Sequence, residues 1–290
     1  MRTNPSLQRL WTDTLLTAIA PLIWGSTYIV TTQWLPPDRP FTAALLRCLP
    51  AGAALVWYGK RMPAPGQWGR MGILAALNIG FFQALLFIAA YRLPGGVAAV
   101  VGVIQPLLLM ALAWAVDARR PAGTAVVAAL AGMGGMAALL LAPGVHWDAF
   151  GVAAALGGTL CMGAGTFLAR RWRTDLPLLA LTGWQLLLGG AMLAPLAWMV
   201  DPPLPALGLS ALLGYAYLCV FGAMLSYALW FRGIARLPPT AVASLGLLSP
   251  VTAVALGWIV LGQVITGVPL AGLLVVLLSI FTVQWATRAT

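Results

Sequence analysis

"YRLPGGVAAVVGVIQP", residues 91–106, returns 144 residues later as "ARLPPTAVASLGLLSP", residues 235–250. The match is positional: Arg92, Leu93, Pro94, Ala99, Gly102 and Pro106 align with Arg236, Leu237, Pro238, Ala243, Gly246 and Pro250. Downstream, Ala111, Leu112, Trp114 and Val116 meet Ala255, Leu256, Trp258 and Val260. Upstream the offset becomes 138, so that "RCLPAG" (47–52) faces "QLLLGG" (185–190) and Gly25 faces Gly163. A longer connection around "DPPLPALG" (201–208) accounts for the change. The chain is read as a duplication, with one repeat over 1–145 and a second over 146–290.

Composition sets the solvent in which this duplication folds. Of 290 residues 61% are hydrophobic and 8% charged, with a mean hydropathy of +0.94, whereas a soluble domain carries about 25% charged residues. Polar breaks divide the chain into ten apolar runs, near 13–34, 41–59, 70–90, 95–116, 123–142, 149–169, 178–200, 208–231, 240–261 and 268–286. Each approaches the ~20 residues a helix needs to cross a bilayer. The fold class expected is an all-α membrane protein of ten transmembrane helices, with loops too short for a soluble domain. Arg2 and Arg9 precede the first run, but no small-residue cleavage site follows, so that run is taken as a retained helix.

Five spans per half is an odd number, so the second half must lie inverted relative to the first, an arrangement found in transporters with sites near the midplane. The net charge of +10 divides unequally between the two sets of loops. One set holds Arg2, Arg9, Lys60, Arg61, Arg70, Arg119, Arg120, Arg170, Arg171, Arg173, Arg232, Arg236 and Arg288; the other holds Arg39 and Arg92. That bias places both termini in the cytoplasm of a cell with an inner membrane, and it points to lipid rather than nucleic acid as the partner of the charge. Trp11, Trp34, Trp57, Trp68, Trp147 and Trp285 fall near span ends and read as interfacial anchors.

The spacing in the opening stretch has its own meaning. Gly95, Gly102 and Pro106 recur at steps of seven and four, which keeps all three on one helix face. Pro106 falls near mid-bilayer and removes the hydrogen bond to the Gly102 carbonyl. Pro239, Gly246 and Pro250 repeat the arrangement. Each half therefore carries a smooth stripe, suited to close helix approach, joined to a kink. The expectation is a pair of hinges, one for each side of alternating access.

These residues resemble a known family. "WGSTYIV" (24–30), "FTAALLRCLPAGAAL" (41–55) and the two Gly/Pro stretches resemble the first, second, fourth and ninth helices of EamA-type transporters, in the drug/metabolite transporter superfamily. The resemblance covers essentially the whole chain. It implies a central cavity lined by helices 1, 3, 4, 6, 8 and 9, with helices 5 and 10 peripheral, and export of amino acids and related metabolites, aromatic ones included. Where the family often ends its fourth and ninth helices with Gly-Glu, this chain has Asp117 and Gln263, and it has no glutamate at all.

The chemistry available inside the membrane is sparse. Asp13, Asp38, Asp117, Asp148, Asp175 and Asp201 and the single His146 lie in loops or at span ends, so no intramembrane carboxylate or histidine relay is visible. Facilitated diffusion or exchange is expected instead, with no cofactor or metal. Cys48, Cys161 and Cys219 form no CxxC, and no catalytic constellation is evident, so an enzyme is not expected. On the implied cavity helices the candidate binding residues are Trp24, Tyr28, Asn78, Phe82, Gln83, Gln105, Met162, Thr166, Tyr217, Phe221, Tyr227, Ser244 and Ser249. Aromatic rings with a few amides suit a flat, amphipathic small molecule. Arg47 is the one charge well inside a span. It either snorkels outward to Asp38 or helix-end carbonyls, or attracts a substrate carboxylate; the structural role is favoured because helix 2 is not among the implied cavity helices. An uptake permease and a channel-like pore stand as alternatives, and a monomer is sufficient for any of the three.

Overall fold

Apolar side chains without Asp, Glu or Lys in their interiors leave the backbone to satisfy its own hydrogen bonds, and in hydrocarbon only a helix or closed barrel does so. The computed structural model describes residues 5–93, 102, 104–118, 120–140, 148–172, 174–261 and 267–286, and among these there is no strand. The helices are α1 (Pro5–Gly25), α2 (Thr27–Trp34), α3 (Pro40–Gly59), α4 (Trp68–Ala75), α5 (Phe82–Arg92), α6 (Gln105–Asp117) and α7 (Gly123–Leu140), followed by α8 (Ala149–Arg171), α9 (Leu178–Met199), α10 (Leu209–Tyr217), α11 (Ser226–Arg236), α12 (Pro239–Gly246), α13 (Leu248–Leu261) and α14 (Val268–Ala286). Among the described residues, seven stretches are long and apolar enough to cross a membrane: 9–34, 40–59, 65–92, 149–171, 178–199, 209–236 and 241–260. Shorter apolar stretches cover 105–117, 123–135 and 270–283.

Two spans contain a wide π-helical turn, Ala76–Phe81 between α4 and α5 and Leu218–Leu225 between α10 and α11. Advanced by 144, the first becomes 220–225, within the second. A π turn leaves the α ladder locally and exposes carbonyls to side chains, and Gly222 uses this freedom below.

Packing follows small residues. α3 lies along α9, where a Cβ on Gly52 would press the Leu187 backbone and one on Gly190 would come within 2.8 Å of the Leu49 nitrogen. Glycine alone permits such backbone contact, the membrane's usual route to close helix approach. α7 lies along α14 through Gly132 and Gly135, against Ser279 and Val275. α5 packs on α8 and α1 on α11. An ion pair closes the end of each: Arg92 with Asp148 at 3.2 Å, and Arg232 and Arg236 with Asp13 at 2.6 and 3.3 Å.

The outer face is broadly apolar. Trp57, Trp198, Met199, Ile259, Leu278 and Phe281 are all exposed, the composition of a surface that lipid covers. Trp11, Trp34, Trp57 and Trp285 stand outward at helix ends. Trp68 differs from its expected anchoring role: it is half-buried and meets Trp184 edge-on at 5.0 Å. Trp147 lies outside the described residues.

Candidate functional site

A cavity of about 120 Å³ lies where α1, α2, α5, α8, α12 and α13 converge, reached also by α3, α6 and α11. Its wall carries residues that stand at the sequence offsets of the expected repeat. Trp24 and Met162 line it, as do Gln105 and Ser249, Gly102 and Gly246, and Leu86 and Trp230. The first of these pairs is separated by 138 positions and the others by 144. Tyr28, Phe82, Thr27, Thr159 and Pro250 complete much of the remainder.

The aromatic part of the wall is held from behind. Trp24 meets the Tyr227 and Trp230 rings at 5.1 Å each, and its Nε1 donates to the Gly222 carbonyl at 2.9 Å. That hydrogen bond and the two ring contacts fix the indole, so ring position is set by the second π turn and α11 as much as by α1. Tyr227 itself is fully buried off the wall, accepting from Gln83 Nε2 at 2.7 Å. Gln83 and Tyr227 are 144 positions apart, the offset of the expected repeat.

Of the remaining candidates, Asn78 is buried and donates to Gln185 Oε1 at 2.8 Å. Thr166 and Ser244 are buried off the wall, Ser244 donating to the Ala241 carbonyl. The Tyr217 hydroxyl shares a hydrogen bond with Ser26 at 2.7 Å, and Phe221 stacks beside Tyr217 with nearly half its surface exposed. Among the residues expected to form hinges, Gly102, Gly246 and Pro250 reach the cavity; Pro106 is buried beside the start of α6; Pro239 begins α12; Gly95 lies outside the described residues.

The glycine stripe does something other than receive a helix. A Cβ on Gly102 would meet nothing within 4 Å, and one on Gly246 would only touch the Trp230 ring at 3.7 Å. At these two positions the absent side chain leaves open space for the cavity. Close helix approach is instead made by Gly25 against Ser249 and Thr252, and by its repeat mate Gly163 against Leu108.

Arg47 also departs from expectation. Although it projects from α3, it lines the cavity with 1% of its surface exposed. Its guanidinium donates to the Gly222 carbonyl at 2.7 Å and to Thr27 Oγ1 at 3.3 Å, and stands 5.9 Å from the Phe87 ring. Among the described residues it pairs with no carboxylate, Asp38 included. Arginine's length explains the difference: a helix behind the wall can still place a charge on it. Trp230 and Leu86 were legible as the third residue beyond chosen Tyr227 and Gln83, one turn further on the same face.

Comparison with known proteins agrees with this architecture. A model described as the EamA-like transporter family matches residues 12–141 and 149–285. The chain is 40% identical to Protein PecM of Dickeya dadantii (strain 3937) over 267 residues, covering 91% of this chain and 90% of that protein. It is 23% identical to a protein of Salmonella typhimurium (strain LT2) named a probable amino-acid metabolite efflux pump, covering 93% of each. A solved crystal structure superposes with a TM-score of 0.81 over 96% of this chain and 98% of that one, at 19% identity, a likeness of fold.

Proposed function

The chain belongs to the EamA-like transporter family, and from that premise we propose that it carries small metabolites across a bacterial inner membrane by alternating access, exporting amino acids or similar solutes with aromatic ones preferred. The observation that carries this reading is the cavity wall, assembled from matched positions of two halves and presenting Trp24, Tyr28, Phe82 and Trp230 with the Gln105 amide. Ring stacking adds about 0.5–1.5 kcal/mol per pair beyond area burial, which favours flat solutes over aliphatic ones of equal size.

Ten crossings in two inverted halves, with both termini cytoplasmic, are part of the same proposal. In support, the pairwise packing obeys the repeat: span 3 on span 6 mirrors span 8 on span 1, while spans 2 and 7, and 5 and 10, pair with their own mates. The two matched stretches, 12–141 and 149–285, part at the expected division of the halves. With five of the six acids at helix ends or in loops, and Asp13 within α1 tied to Arg232 and Arg236, the solute's own gradient drives transport.

Counterflow in proteoliposomes tests this. Vesicles loaded with unlabelled tryptophan, phenylalanine, alanine or threonine are offered the labelled counterpart without an ion gradient. Saturable entry of the aromatic pair, with much less of the aliphatic pair, is the expected result. No counterflow with any of the four removes the amino-acid reading, and flux without saturation replaces the carrier by a pore.

A further inference from the structure

The two halves differ at one place that matters for chemistry. Thr27, Arg47 and Gly222 gather on one side of the molecule; their repeat mates, at offsets 138, 138 and 144, are Gly165, Gln185 and Asn78. In the second cluster a neutral amide answers a neutral amide, Asn78 Nδ2 donating to Gln185 Oε1 at 2.8 Å, and Gly165 leaves the room, since a Cβ there would collide with the Asn78 side chain. None of these three lines the cavity. In the first cluster the same positions hold a cation, and the residue facing it is a glycine that offers only its carbonyl. This cluster does open on the cavity, through Thr27 and Arg47.

A guanidinium has five N–H groups, and protein acceptors take two of them. A buried cation without a carboxylate is costly in hydrocarbon, and it persists where a pathway or ligand requires it. The wall carries two further buried donors without acceptors, Gln105 Nε2 and Trp230 Nε1, alongside Arg47 Nε. The fully buried polar atoms of the wall that lack a partner among the described residues are thus all N–H groups. The wall contains no Asp or Glu to answer a cation. Such a surface complements an acceptor-rich anion and offers no carboxylate to an ammonium group.

We propose that Arg47 is the anion receptor of the cavity, binding the solute's carboxylate beside the aromatic wall, so that a carboxylate is required of the solute and an amino group is not. The proposal rests on the transport reading above and narrows its substrate class to aryl carboxylates, of which aromatic amino acids are one kind. Charge-assisted bonds from guanidinium to carboxylate supply the affinity.

The test uses the full-length protein and three probes of similar ring: L-phenylalanine, 3-phenylpropionate (carboxylate only) and phenethylamine (amine only). Thermal stabilisation of the purified protein and inhibition of labelled L-phenylalanine counterflow are measured with each. 3-Phenylpropionate is expected to stabilise the protein and to compete within about threefold of L-phenylalanine, while phenethylamine does neither at about tenfold higher concentration, the difference a charge-assisted pair makes. Equal effects of acid and amine, or no stabilisation by 3-phenylpropionate, overturn the proposal.

The two readings fail separately. Exchange of L-phenylalanine without competition by 3-phenylpropionate removes the anion receptor and leaves the amino-acid exporter. Stabilisation by 3-phenylpropionate without amino-acid exchange does the reverse. Arg47→Gln, the residue of the mate position, is expected to weaken 3-phenylpropionate binding at least about tenfold, with Arg47→Lys recovering part of it. A purely structural arginine would instead lower the melting temperature of the unliganded protein and leave the preference for acid over amine intact. Should Arg47→Gln not fold, the probe comparison on the unmodified protein decides alone.

Discussion

Gln83 and Tyr227, matched positions of the proposed duplication, hydrogen-bond each other across 2.7 Å, both with no exposed surface. An equivalent pair can meet only at the axis relating the halves, so this contact marks the centre of the proposed duplication. Tyr227→Phe removes the acceptor and leaves the Gln83 amide nitrogen buried and unanswered, beside an Oε1 that already lacks a partner. The cost of an orphaned buried donor is about 1–3 kcal/mol, and hydrogen bonds between membrane helices sit near or below the lower end of that range. Equilibrium unfolding should therefore show a loss of about 1 kcal/mol. Gln83→Leu combined with Tyr227→Phe should lose less than Tyr227→Phe alone, because no orphan remains. Trp24 belongs to the same scale: its indole is aimed by the Gly222 carbonyl, an acceptor no inspection of α1 would supply.

Among the elements, α3 and α9 pack backbone against backbone, and Gly52, Gly183 and Gly190 permit it. Gly52→Val or Gly190→Val places a branched side chain against the Leu187 or Leu49 backbone, and overpacking of this kind costs about 1–3 kcal/mol. Both variants should yield less folded protein with a lower melting temperature. Gly72→Ala in α4, where a Cβ meets nothing within 4 Å, should be neutral or stabilising, since alanine outranks glycine in a helix by up to ~1 kcal/mol. The broken span formed by α12 and α13 makes a different prediction. Leu247 interrupts it, its N–H bonding back to the Ser244 carbonyl at 3.1 Å, three residues before Pro250. If this break and its counterpart before Pro106 are hinges, Pro250→Ala and Pro106→Ala should lower the rate of counterflow per folded molecule several-fold, an activation change of about 1 kcal/mol, while membrane yield stays near normal. Unchanged rates would leave both prolines a shaping role only.

At the scale of the whole molecule, orientation and assembly of the halves are the open physical quantities. Thirteen basic residues on one set of loops against two on the other predict cytoplasmic termini. Fluorescent protein fused after Thr290 should fluoresce, and alkaline phosphatase there should be silent. The same phosphatase inserted after Leu204 should be active; the opposite pattern inverts the orientation. Arg92 and Arg236, 144 positions apart, pair with Asp148 and Asp13, and the proposed inversion places the two ion pairs on opposite membrane faces. Their half-exposed arginines make them minor contributors to stability.

The sequence by itself determined the membrane class and the placement of the helical runs, and it proposed the repeat, because hydropathy over some twenty residues and identity at fixed offsets are local, countable properties. It also indicated most of the aromatic wall through Trp24, Tyr28 and Phe82. Only the tertiary structure decided which polar residues face the cavity and which face one another. Asn78, Gln83 and Tyr227 turn to partners 107 and 144 residues away, and no spacing rule encodes a partner on another helix. Gly102 and Gly246 prove to hold space open rather than to admit a helix, since a missing side chain looks the same in sequence in either role. Arg47 reaches the cavity from α3 because a long side chain decouples the position of a charge from that of its helix, and the glycine opposite it leaves that charge without a counter-ion among the described residues.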